Sequence, residues 1–307
     1  MPIRVKEGLP AIEILANENI FIMTENRAKH QDIRALEILV VNLMPTIVAT
    51  ETQLLRLLSN TSLQLNVEFL KLSTQQVQNP GLEHLQQFYL SFEAIKNKSY
   101  DGMIITGASA GQLEFEQIDC WNELCRVMEW SKYHVNASLY LCGAAYAALY
   151  YYYGVKKTNL SEKLSGVYTH TVNKREHPIV RGFDDLFLAP HSRWVSVDPE
   201  ALHKTAKLDI LAESKQAGVY LITDKNSKQL FVTGHCEFDR PTLEAACSGN
   251  DGGDTAVPCQ KTSWSSHASL LFANWINYYV YQQTPYCLQA LPYRRTAEKV
   301  NERLAAK

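Results

Sequence analysis

The chain lacks any apolar run approaching the roughly 18 residues that a membrane span needs. Its first residues, "MPIRVKEGLPAIEIL", also lack the apolar core of a secretory leader. Both absences lead us to expect a cytoplasmic protein with no membrane partner. No C-x-x-C pair occurs among the seven cysteines, Cys120, Cys125, Cys142, Cys236, Cys247, Cys259 and Cys287. Their odd number and irregular spacing argue against a zinc or redox framework and predict free thiols. No metal is expected. Charge of either sign is not in excess: 30 Lys and Arg stand against 32 Asp and Glu, for a net charge of -2 and a pI of about 6.5. No basic face runs along the body of the chain, so no nucleic-acid partner is expected. The end, "YRRTAEKVNERLAAK", is locally basic and helix-prone, and residues 291–307 read as a solvated C-terminal tail. Internal repeats and low-complexity linkers are missing too, and no composition shift marks a boundary. Residues 1–290 are therefore expected to form a single domain.

What is present is an ordinary globular composition, 46% hydrophobic and 20% charged over 307 residues. Short apolar runs alternate with helical patterns. "ALEILVVNLMP" is a buried-strand run ended by proline, and "TETQLLRLLSN" follows with leucines at helical spacing. "LNVEFLKL" alternates with period two, "YDGMIITGAS" is a strand ending in a glycine turn, and "WNELCRVMEWSKYH" is an amphipathic helix. "SLYLC" is another strand, followed by a helix from about Gly143. Strand and helix in this alternation predict an α/β fold with a parallel sheet. Farther on, "LDILAES", "AGVYLITD" and "QLFVTGH" read as successive strands of a meander that adds edge strands to the sheet, with a turn at "NSK". "SSHASLLFANWINYYVYQQ" carries an aromatic and aliphatic stripe and reads as a core-facing helix rather than a cofactor site.

Cys142 falls where the "SLYLC" strand turns into the next helix. Ligands of open parallel sheets bind at the carboxyl ends of strands. A helix N-terminus there favours negative charge, which activates a thiol as a nucleophile. Gly143, Ala144 and Ala145 permit a tight turn and close substrate approach, the layout of a nucleophile elbow with sulfur in place of oxygen. Taken alone, a buried structural cysteine is the commoner case. A thiolate needs an imidazole and the imidazole an orienting group. "FVTGHCEFD" offers His235 and Glu237, two apart at a strand end, where side chains at i and i+2 share a face. An unrelated exposed pair would look the same, and H-x-E gains weight only beside the cysteine elbow. Gly107 and Ala108 of "ITGAS" end a third strand and suit an oxyanion-holding loop together with Gly143, or serve simply as a turn.

Dense further stretches carry a resemblance: "LVVNLMP", "ETQLLRLLSN", "DGMIITGA", "VMEWSK", "EKLSGVYTH", "RGFDDLFLAPHSR", "VTGHCEFD" and "SWSSHASLLFANWINYYVY". From "MPIRV" to "NYYVYQQTPY" the chain is similar to the homoserine O-succinyltransferases, the O-acyltransferases that open methionine biosynthesis. The resemblance implies a flavodoxin-like three-layer sandwich, as in class I glutamine amidotransferases, with a mostly parallel sheet and added antiparallel strands. It implies that Cys142 accepts the acyl group, that His235 is the proton acceptor and that Glu237 completes the triad. It places Lys163 and Ser192 at substrate-binding positions and Gly111 at the position tied to acyl-donor choice, where glycine goes with succinyl donors. Acyl-CoA is then a co-substrate, with no tightly bound cofactor, and a homodimer is common in such enzymes. The implied reaction is ping-pong succinyl transfer from succinyl-CoA to L-homoserine. Acetyl-CoA as donor and L-serine or another hydroxy amino acid as acceptor are alternatives. A glutamine-hydrolysing enzyme and an inactive binding homologue are rivals of other classes.

The chain departs from the family pattern at four places. Thr46 and Ile47 follow "LMP" where lysine is usual, Gly143 replaces a bulky residue, and Tyr146 replaces a polar amide. Gly249 stands where a substrate-binding arginine is expected, and an arginine fork is the natural clamp for an amino-acid carboxylate. Arg240 and Lys261 are the candidates to replace it.

Overall fold

A computed structural model describes residues 3–6, 8–17, 22–24, 35–75, 81–108, 111–226, 228–248 and 264–284. Gly249, Lys261 and the 291–307 tail lie outside the described residues. The strands are β1 (Ile3–Val5), β2 (Ile22–Thr24), β3 (Leu36–Leu43), β4 (Leu65–Leu70), β5 (Tyr89–Leu90) and β6 (Tyr100–Gly107). They continue with β7 (Val135–Leu141), β8 (Lys157–Val172), β9 (Leu186–Val197), β10 (Leu208–Ser214), β11 (Gly218–Asp224) and β12 (Gln229–Val232). One sheet takes them in the order β2-β1-β4-β3-β6-β7-β12-β11-β10-β8-β9, with β5 beside β4. From β2 to β12 all pairings are parallel, and from β12 to β9 all are antiparallel.

The central strands are apolar throughout because both sheet faces are covered. All eight residues of β6 are buried. On one face Leu54, Leu58, Leu271, Phe272 and Trp275 pack against the sheet. On the other, Leu124, Val127, Ala145 and Leu149 do so. The result is the α/β fold with a parallel sheet that the alternating pattern predicts, in the three-layer form that the resemblance implies.

Two features differ from the expectation. The meander does not end the sheet. β12 pairs with the central β7, and beyond β10 lies the long hairpin β8–β9. That hairpin is hard to read because β8 alternates poorly, is largely solvent-facing over Thr158–Glu162, and shifts register between Asn159 and Leu164. Second, the helix Ser265–Asn274 widens into a π-helical segment, Trp275–Tyr281, rather than continuing regularly. Its stripe faces the core as expected, with Trp275, Ile276, Tyr279 and Val280 fully buried. The Trp275 ring lies so close to Gly102 that a β-carbon there would stand 2.9 Å from it.

Candidate active site

β7 ends at Leu141 and the next helix runs Gly143–Tyr153, so Cys142 alone forms the corner. Its backbone sits at φ 48° and ψ -116°, a conformation that costs about 1–3 kcal/mol for a residue with a β-carbon. Hydrogen bonds hold it there. The Cys142 N–H donates to the Val232 carbonyl at 2.7 Å, and its own carbonyl accepts from Ala145 N–H at 2.9 Å. The sharp corner turns the side chain out above the strand ends, as in a nucleophile elbow.

Glycines stack the neighbouring strand ends against this corner. A β-carbon on Gly107 (φ 89°) would stand 2.5 Å from the Leu43 carbonyl carbon. One on Gly143 would stand 2.4 Å from the Gly107 carbonyl oxygen and 3.0 Å from that of Ala108. Gly143 is thus required by this arrangement of the "TGA" loop, and a bulky residue would need the loop elsewhere. Gly107 and Ala108 present carbonyl oxygens to Gly143. The Gly143 N–H stands at the start of the helix, where it has no intrahelical acceptor.

β12 ends at Val232, three residues before His235. The expected strand-face alignment of His235 and Glu237 is therefore replaced by a turn, closed by Phe238 N–H donating to the His235 carbonyl at 3.1 Å. Within it His235 Nδ1 and Glu237 Oε1 meet at 2.8 Å. The imidazole stacks on Phe238 with ring centroids 4.0 Å apart, and the His235 N–H donates to the Pro190 carbonyl. Cys142, His235 and Glu237 are all buried. Burial opposes a charge on His235. The nearby Cys142 sulfur and the Glu237 carboxylate, which is hydrogen-bonded to the ring, outweigh it and raise the imidazole to about 10.

Two cavities meet at Cys142. The larger, about 590 Å³, is bounded by Met44, Thr46, His235, Phe238 and Ala246. The smaller, about 210 Å³, is bounded by Gly111, Tyr146, Lys157, Lys163 and Arg193. Cys142, Gly143 and Ser192 line both. The hairpin β8–β9 supplies Lys157, Lys163, Ser192 and Arg193, which explains how residues far apart in sequence reach one place. Lys163 Nζ donates to the Ala246 carbonyl at 2.9 Å, tying the hairpin to the helix Arg240–Cys247.

The departures resolve as follows. Thr46 lines the larger cavity, while Ile47 is buried in the core. Arg240 lies at the surface with Nε donating to Glu244 Oε1 at 2.6 Å, so it does not replace the expected clamp. The buried cation at the site is Arg193, which sequence reasoning passed over. It is only 4% exposed and makes no ion pair among the described residues. Its guanidinium is fixed by His191 Nδ1 at 3.2 Å and by the Val195 and Ala217 carbonyls. Because Arg193 donates to His191 Nδ1, the His191 proton sits on Nε2 and is donated to His170 Nε2 at 3.0 Å. His170 Nδ1–H then donates to the Tyr168 carbonyl at 2.9 Å. Burial, with Arg193 adding to it, holds His191 well below its ordinary value and His170 at about 4, so both are neutral. A signal for Arg193 existed in "PHSR", but its inward direction depends on the hairpin register.

Among the described residues no cluster of metal-ligating side chains occurs, and no helix is long and apolar enough to cross a membrane. The profile of the homoserine O-succinyltransferase family matches residues 2–286. The chain belongs to the homoserine O-succinyltransferase family. Within it, a homoserine O-succinyltransferase of Vibrio vulnificus is 50% identical over 301 residues, covering 94% of this chain and 96% of that one. A homoserine O-acetyltransferase of Thermotoga petrophila is 49% identical over 302 residues, covering 94% and 99%. Among solved structures, a glutamine amidotransferase of Methylobacillus flagellatus superposes with a TM-score of 0.54 at 9% identity, over 80% of this chain and 95% of that one. One of Thermotoga maritima does so with a TM-score of 0.51 at 11% identity, over 80% and 98%. These establish for this homoserine O-succinyltransferase family member a class I amidotransferase-like fold.

Proposed function

We propose that the protein transfers an acyl group from acyl-CoA to the hydroxyl of L-homoserine through a Cys142 acyl-thioester. The observation that carries this reading is the strained Cys142 corner lining one cavity with His235, whose ring is hydrogen-bonded to the buried Glu237. Reaction begins once the Cys142 proton has passed to His235, giving thiolate and imidazolium. Sulfur attacks the thioester carbonyl, and the Gly143 N–H faces the developing oxyanion. As the tetrahedral adduct collapses, the C–S bond to CoA breaks and His235 gives its proton to the departing CoA sulfur. His235 is now neutral and takes the proton of the acceptor hydroxyl as that oxygen attacks the acyl-thioester. Release of the O-acyl amino acid restores the thiolate and the imidazolium. General-base help of this kind contributes about 10²–10⁴-fold. Glu237 holds the ring orientation and supports its charge.

Lys163, Ser192 and Arg193 surround the acceptor in this reading, with the Arg193 guanidinium available to the amino-acid carboxylate. Gly111, in the smaller cavity, favours a succinyl donor. Acetyl transfer is the second reading, favoured by the 49% identity to a homoserine O-acetyltransferase. The chemistry uses acyl-CoA as co-substrate and needs no metal or resident cofactor. Residues 1–290 act as one acyltransferase unit, in the cytoplasm. The experiment is a donor-and-acceptor panel. Turnover of homoserine with either acyl-CoA supports the reading, and better turnover of serine than homoserine contradicts the acceptor.

A further inference from the structure

Lys157 opens β8 at the rim of the smaller cavity. Its ammonium lies 5.3 Å from the Phe115 ring centroid. Nζ donates to the Gly111 carbonyl at 3.0 Å and to the Leu113 carbonyl. Among the described residues it makes no ion pair, and burial lowers its pKa, with Glu114 opposing from farther off. An ammonium has three N–H donors, so two carbonyl bonds leave one for a ligand. Gly111, at φ 53°, is open on its side-chain side, with nothing within 4 Å of a β-carbon built there. One cavity therefore joins the sulfur of Cys142 to an unpaired, partly dehydrated cation.

An acetyl group leaves that cation without a counter-charge. A longer acyl chain ending in a carboxylate supplies one, in a setting where charged hydrogen bonds are strong. We propose that Lys157 is the donor-selecting residue, binding the far carboxylate of a dicarboxylic acyl-CoA, and that glycine at 111 acts by leaving its third N–H clear. An acidic side chain at 111 would neutralise the ammonium before the donor arrives. This rests on the acyl-thioester reading above.

The test compares succinyl-CoA with butyryl-CoA, which has the same chain length but a methyl group in place of the carboxylate. With the full chain and a fixed acceptor, the quantity read is the ratio of kcat/KM for the two donors, together with the mass of the Cys142 adduct. The native protein is expected to favour succinyl by about 30-fold or more, and Lys157→Met to lose most of that ratio. Lys157→Arg should retain part of it. Gly111→Glu should lose it as well, with no further loss in the Lys157→Met/Gly111→Glu double variant. A native protein that takes butyryl as readily as succinyl overturns the proposal even if the variants fail to fold. So does a Lys157→Met variant with an unchanged ratio, which would make Lys157 merely a staple of the 111–113 turn. Absence of an adduct with every donor overturns the acyl-thioester reading and this one with it. An adduct with an unchanged ratio overturns this one alone.

Discussion

The β-carbon that Gly143 lacks would stand 2.4 Å from the carbonyl oxygen of Gly107. The oxygen is backbone and a β-carbon is fixed directly to the main chain, so neither can swing aside as the far end of a side chain could. Gly143→Ala must therefore displace either the "TGA" loop or the Cys142 corner. Such overpacking destabilises by about 1–3 kcal/mol. In a chain of this size each kcal/mol lowers Tm by roughly 2–4 °C, and the misplaced sulfur should slow its own acylation by about 10²-fold. Thermal melting and the rate of adduct formation check this. Wild-type acylation in Gly143→Ala would show that the corner does not depend on the contact.

Glu237→Gln keeps the shape of the carboxylate and removes its charge. With the Cys142 sulfur and the Glu237 carboxylate beside it, His235 is raised above its unfolded value, so its contribution to stability is full below about pH 6.5 and is lost as pH rises toward about 10. Removing the carboxylate should cost most at neutral pH and less at alkaline pH. Melting temperatures of native and variant protein between pH 6 and 10 should therefore converge as pH rises. A gap that is constant or widens would contradict a Glu237-supported imidazolium.

Arg193→Met removes the buried guanidinium while keeping much of its stem. If Arg193 holds the acceptor carboxylate, kcat/KM for homoserine should fall by about 10²-fold, the loss expected when one partner of a desolvated charge pair is truncated. Acylation by donor alone should fall much less. Steady-state and single-turnover rates separate the two, and equal losses in both would make Arg193 a structural residue.

His170 and His191 are buried and neutral, with folded values held below the unfolded one. The sign is opposite to that of His235. Their neutral forms add nothing lost at high pH, and stability declines as pH falls below about 6.5 because the unfolded chain takes up protons first. Each group contributes up to about 1.4 kcal/mol per pH unit until its folded value is reached. His170→Gln should make the fall in Tm between pH 7 and 5 shallower. An unchanged acid limb would contradict a buried neutral pair.

Much of the architecture was legible because its signals are local. The helix Trp121–His134 and the strands Leu208–Ser214 and Leu36–Leu43 announce themselves by periodicity and bounding turns. The corner at Cys142 was legible because an apolar strand, a glycine and an alanine-rich helix meet there. His235 and Glu237 were found by residue type, although a turn and not a strand face brings them together. The hairpin was not legible. Its strands alternate weakly, and pairing Ser165 with Ser192 is a long-range register that no local pattern encodes. Arg193 and Lys157 followed it out of sight, since their inward placement exists only once that register is set.

The central claim is that the Cys142 sulfur becomes acylated before any acceptor is present. Intact-protein mass spectrometry after mixing with succinyl-CoA or acetyl-CoA alone measures it directly. A mass gain of one acyl group, mapped to Cys142 and discharged on adding homoserine, is the predicted result. No adduct with either donor, together with full transfer activity in Cys142→Ala, would contradict it.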